Sequence, residues 1–126
     1  MLNVQFLNDT GGTLISSLAV GSVQTITTKG IDTSRLNFQG QHGMYLIFTG
    51  TVNGLTQEVS YDNTNWYTPW DKNASLGQLI VASANNSRFI SFVTTNSANV
   101  PSPFKRYNVT MLSGGTLSLV YVADEV

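Results

Sequence analysis

Apolar residues recur along this chain at every second position far more often than at every third or fourth. That is the period of a half-buried β-strand rather than of a helix. Leu2, Val4 and Phe6 alternate with Asn3 and Gln5 and predict a first strand. Asn8-Asp9-Thr10-Gly11-Gly12 should turn the chain into a second strand over 13–19, making an N-terminal hairpin. Further strands are expected over 23–28, 34–38, 44–49, 55–61, 78–82 and 88–94, with 74–77 a helical turn or coil. Asn53-Gly54 is the pair favoured in a two-residue hairpin turn, so 44–49 and 55–61 are expected to pair with each other. Near the C-terminus Tyr107, Val109 and Met111 alternate with polar residues, Ser113-Gly114-Gly115 turns the chain, and Leu117, Leu119 and Tyr121 continue on one face.

About nine or ten short strands at intervals of roughly 8–12 residues are the pattern of an antiparallel β-sandwich, and a jelly-roll arrangement is expected. No shift of composition divides the 126 residues, so residues 1–126 are read as one domain. Two departures from the alternation point outward. Met44 to Phe48 is apolar without interruption, which predicts cover on both faces, by a second sheet or by another subunit. Leu7, Val120 and Val122 are apolar where the pattern predicts solvent. Leu7, Met44, Tyr45, Phe48, Val120 and Val122 are therefore the candidate interface.

The middle of the chain carries a corner. The β-prone run 55–61 ends in Asp62-Asn63-Thr64-Asn65, small polar residues that bond their own backbone and tolerate left-handed geometry. Trp66, Tyr67 and Trp70 follow within five positions. They have two readings: Trp66 plugging a sheet edge with Trp70 anchoring its loop beside Pro69, or three rings presented as a stacking platform for a sugar.

Composition removes most chemistry. There is no cysteine, so disulfides, thiolate nucleophiles and cysteine-ligated metals are excluded. Six basic residues against seven acidic ones lack the clustered basic excess of a DNA-binding domain, and no nucleic-acid partner is expected. The apolar runs are far shorter than the ~20 residues that cross a bilayer, and Met1-Leu2-Asn3 has neither a basic leader nor an apolar signal core, so neither membrane insertion nor export is expected. The single histidine, His42, sits between Gln41 and Gly43 and reads as a solvated loop imidazole, which leaves no base for a catalytic triad. Asp9, Asp32, Asp62 and Asp71 fall in predicted turns, and Asp62-Asn63-Thr64-Asn65 lacks the glycine and distal glutamate of a calcium loop. No catalytic residue, metal or cofactor is expected.

Val59-Ser60-Tyr61-Asp62-Asn63-Thr64-Asn65-Trp66 and Tyr107-Asn108-Val109-Thr110-Met111-Leu112-Ser113-Gly114-Gly115-Thr116-Leu117-Ser118-Leu119 resemble modules of tailed-bacteriophage virion proteins. Those modules carry a Ser-x-Asp-Gly-Thr-Asn-Trp corner and close on a Tyr-x-Val-x-x-x-Ser-Gly-Gly-Thr-x-x-Leu hairpin. Asn63 stands where the corner usually has glycine, a replacement that left-handed geometry tolerates. The resemblance covers the C-terminal two-thirds of the chain. It implies a small non-enzymatic sandwich on a virion, most simply a capsid decoration (cement) protein. Such a protein would be made in the bacterial cytoplasm, assemble as a homo-trimer and bind the phage major capsid protein at the capsid surface. The alternative is a glycan- or receptor-binding module of a tail or fibre, with Trp66, Tyr67 and Trp70 as the platform.

Overall fold

The computed structural model describes residues 4–5, 13–33, 42–72, 74–80, 85–91 and 102–124. The alternating segments build two five-stranded antiparallel sheets. The first holds β1 (Val4–Gln5), β2 (Thr13–Val20), β5 (His42–Phe48), β10 (Arg88–Ser91) and β12 (Gly115–Asp124). The second holds β3 (Gln24–Thr27), β4 (Ile31–Asp32), β6 (Val52–Ser60), β9 (Gln78–Ile80) and β11 (Phe104–Met111). A small ribbon of β7 (Trp70–Asp71) and β8 (Ala74–Ser75) stands apart, where a loop and a helical turn or coil were expected. Met44, Leu46, Leu117, Leu119 and Tyr121 of the first sheet meet Val52, Leu55, Tyr107, Val109 and Met111 of the second in one fully buried cluster. The protein is thus an all-β antiparallel sandwich; the strand pairings do not establish a jelly roll. The predicted strand over 34–38 lies outside the described residues.

The pairing differs from the expected hairpins. β5 pairs with β12 and β10, whereas β6 pairs with β11 and β9, so the two strands flanking 49–51 lie in different sheets. β1 and β2 both pair with β12 instead of with each other. β11 and β12 also separate, one to each sheet, as do β9 and β10. Along the first sheet run β2, β12, β5 and β10, and along the second β3, β11, β6 and β9. β2 and β3, β5 and β6, and β11 and β12 therefore face each other across the core, joined by arches at 21–23, 49–51 and 112–114.

The arches pack side by side, and that packing explains why these turns arch. Gly50, at φ +87°, lies against Ser113 and Gly114, and a side chain on Gly115 would run into the Thr49 carbonyl. The Thr49 N–H donates to the Thr116 carbonyl (3.0 Å), the Leu112 N–H to the Thr51 carbonyl (2.8 Å), and the Thr51 N–H to Ser113 Oγ (3.0 Å). Asn53-Gly54, the expected turn, lies inside β6, where Gly54 pairs with Thr110.

Candidate functional site

The inward positions of β5 and β12 make core, and the outward positions of the same strands make an apolar surface. Val120, Tyr45 and Phe89 are register neighbours in one row across β12, β5 and β10. The Tyr45 and Phe89 rings meet with centroids 4.7 Å apart at 54°. Phe89 lies over Gly43, where any side chain would strike its ring. Ile47 stands two residues from Tyr45 on the same face, and Val122 pairs opposite Gly43. Tyr45, Ile47 and Phe89 are 46%, 48% and 49% exposed, although each is a large apolar side chain. Together they form a contiguous exposed apolar patch on one sheet face.

Of the candidate interface residues, Tyr45, Val120 and Val122 lie on this face. Met44 and Phe48 do not: both are in the core, because the uninterrupted apolar run alternates in space even though it does not in chemistry. Leu7 lies outside the described residues. Ile47 and Phe89 were missed by the sequence reading. The apolar run already contained Ile47, whereas only the pairing of β10 with β5 brings Phe89 beside Tyr45.

The corner on the second sheet holds its residues firmly. Asp62 Oδ1 accepts from the N–H groups of Thr64 (2.9 Å) and Asn65 (2.8 Å) and from Ser60 Oγ (2.9 Å), and Oδ2 accepts from Asn65 Nδ2 (2.6 Å). Backbone bonds from Asn65 and Thr64, chiefly, hold its carboxyl far below the usual range. Asn63 takes the left-handed conformation at φ 59° and packs with Trp66 against Gly30. The Arg106 guanidinium lies 4.6 Å from the Trp66 ring centre and donates to Glu58 Oε1 at 2.8 Å. Burial pushes the Glu58 carboxyl up, but hydrogen bonds from Arg106 and Asn108 and the Arg106 charge outweigh it and hold the group below its ordinary value.

The aromatic trio therefore divides. Trp66 is half-buried, with its ring against the Arg106 guanidinium and Gly30. Tyr67 bridges to Val59 and stacks on Tyr61 at 6.3 Å. Trp70 does not anchor its loop, for it is 62% exposed.

His42 is not a solvated loop residue. It opens β5, is buried, and shares a 3.0 Å hydrogen bond through Nδ1 with the Tyr121 hydroxyl. Tyr107 packs on Tyr121 with ring centres 5.9 Å apart, and burial pushes both phenols up. Lys105 is fully buried on the inner side of β11, and desolvation lowers its pKa from 10.5 to about 7. His42, Lys105, Tyr107 and Tyr121 are all buried in the interior, and the His42–Tyr121 hydrogen bond ties β5 to β12.

The chain matches no protein-family model, no curated protein and no solved structure.

Proposed function

We propose that the protein is a non-enzymatic structural component of a tailed-bacteriophage virion, a capsid decoration protein that seats its first sheet on the coat-protein shell. The observation that carries the reading is the outward apolar face of Val120, Tyr45, Phe89, Ile47 and Val122. A face of this kind suits permanent cover by a shape-complementary partner, since its core is apolar and carries no charged side chain. On this reading the partner is the phage major capsid protein, the protein acts as a homo-trimer at the capsid surface, and it is made in the host cytoplasm. The corner and closing segments that resemble phage modules support it. So does the commitment of His42, Glu58 and Asp62 to bonds within the fold.

The test is rebinding of the purified protein to undecorated capsids, with shell heat stability and the protein's own mass in solution measured alongside. Saturable binding at a fixed ratio to coat subunits, with raised shell stability, is the expected outcome. A protein that stays monomeric at high concentration and ignores capsids would sink the proposal.

A further inference from the structure

We propose that a polar groove on the outer side of the second sheet is a binding site for a short neutral saccharide. The groove encloses about 300 Å³ and is walled by Thr56 and Glu58 of β6, Asn108 of β11, Gln78 of β9, Ser75 of β8, and Thr68 just ahead of β7. That size stands at the lower end of the ~300–1,000 Å³ typical of small-molecule sites, and suits a mono- or disaccharide better than an extended chain.

The floor is already ordered. Asn108 Nδ2 donates to Glu58 Oε1 (2.8 Å) and to Thr56 Oγ1 (3.3 Å), while its Oδ1 accepts from Thr27 (2.6 Å). Both protein bonds to Glu58 fall on Oε1, which leaves Oε2 as an acceptor for a ligand hydroxyl. Every side chain named in the wall can donate or accept a hydrogen bond, so the groove matches a ligand rich in hydroxyls. Among the described residues lining it, the one ionised group is Glu58, whose charge Arg106 already offsets. A sialic acid or a nucleotide would bring its own negative charge against that carboxylate, whereas a neutral sugar would not.

An exposed tryptophan is tied to the wall through its chain and strand neighbours. Trp70 pairs in register with Ser75 and follows Thr68 by two residues, and both of those line the wall. Among the described residues its indole has no aromatic or cationic neighbour, whereas Trp66 is covered by Arg106 and Tyr67 by Tyr61. A pyranose combines hydroxyl edges with an apolar C–H face, and a groove of hydrogen-bonding groups with an exposed indole tied to its wall offers the complement of both. The groove belongs to the opposite sheet from the apolar face, so this site does not depend on the capsid reading.

The intact protein is titrated by saturation-transfer NMR and calorimetry against glucose, galactose, mannose, N-acetylglucosamine, N-acetylgalactosamine and their disaccharides, with sialic acid and AMP as charged controls. At least one neutral sugar is expected to bind saturably with a Kd on the order of millimolar or tighter. Trp70→Ala and Gln78→Ala should each weaken that binding by about tenfold or more while leaving the melting temperature and any capsid binding unchanged. The site is refuted by any of three results: no saturable neutral sugar, stronger binding of sialic acid or AMP, or full-strength binding by both variants.

Discussion

The outer faces of the two sheets are built by the same alternation and end in opposite chemistry. On the first, the row Val120–Tyr45–Phe89 and its neighbours Ile47 and Val122 are apolar. On the second, outward Thr25, Thr27, Thr56, Glu58, Arg106, Asn108 and Thr110 bond to one another. Thr25 meets Thr110 at 3.1 Å, Thr27 donates to Asn108 at 2.6 Å, and Asn108 reaches both Thr56 and Glu58. A face that satisfies its own polar groups in water needs no partner to be stable there. A face of half-exposed aromatic and branched side chains leaves apolar area in water that a partner could remove, at roughly 25 cal/mol per Å². The difference teaches where a partner would gain most from docking: on the first sheet, whose exposed apolar area is not already satisfied.

The sharpest break of this comparison is to charge the apolar face. Tyr45→Glu combined with Phe89→Glu is expected to weaken capsid binding by about a hundredfold or more, equivalent to about 2.7 kcal/mol, with little change in melting temperature because both side chains already face water. Binding that survives the pair in a capsid co-sedimentation assay would take the function away from this face.

Next in size is an effect confined to the interior that both sheets share. Below pH 7 the Lys105 ammonium is charged in both folded and unfolded chains, so the fold bears the full desolvation cost. Above 10.5 neither form is charged, and between those values the unfolded chain holds a proton that the fold lacks. Stability should therefore climb from about pH 7 toward pH 10, by something on the order of a few kcal/mol. It should then fall above pH 10, where the unfolded phenols ionise but buried Tyr107 and Tyr121 stay protonated. Denaturant titrations across pH 6–11 check this, and Lys105→Met should flatten the rising limb. A flat profile in the unaltered protein would contradict the burial of this amine.

A smaller effect belongs to the polar face. Asn108→Ala removes side-chain bonds to Thr27, Thr56 and Glu58 and is expected to lower stability by about 1–2 kcal/mol in chemical unfolding, without touching capsid affinity. Loss of capsid binding in this variant would mean that the two faces are not independent. The smallest change expected is that of Thr110→Val, within about 0.5 kcal/mol, since one apolar group on a polar sheet does not make a docking surface. If this variant gained capsid affinity, the contrast between the faces would be too coarse to explain assembly.

Much of the fold was legible because strand formation is local. The alternation at Tyr107, Val109 and Met111, and again at Leu117, Leu119 and Tyr121, marks inward positions that are all buried. The corner was legible too, since Asp62 and its neighbours supply their own hydrogen bonds within four residues. The partners of the strands were not legible. Asn53-Gly54 promised a hairpin, yet the chain turns earlier, at Gly50, because that glycine fits against Ser113 and Gly114 from a distant arch. His42 looked like a loop residue for the same reason: its partner, Tyr121, is 79 positions away.

The candidate sites divide along that line. Tyr45, Val120 and Val122 could be picked out by their own chemistry, and Trp70 by its setting among loop residues. Phe89 joined the apolar face only through the pairing of β10 with β5, and the groove gathers Thr56, Gln78 and Asn108 from three strands. The sequence alone determined what each short segment does: which residues alternate, where the corner closes, and that cysteine and thiolate chemistry is absent. Only the tertiary structure decided which strands meet, that β5 and β6 and β11 and β12 arch across the core instead of folding back, and which face each unmatched apolar residue shares. The reason is range. Alternation and turn chemistry act over a few residues, whereas pairing depends on contacts between segments that the linear order keeps far apart.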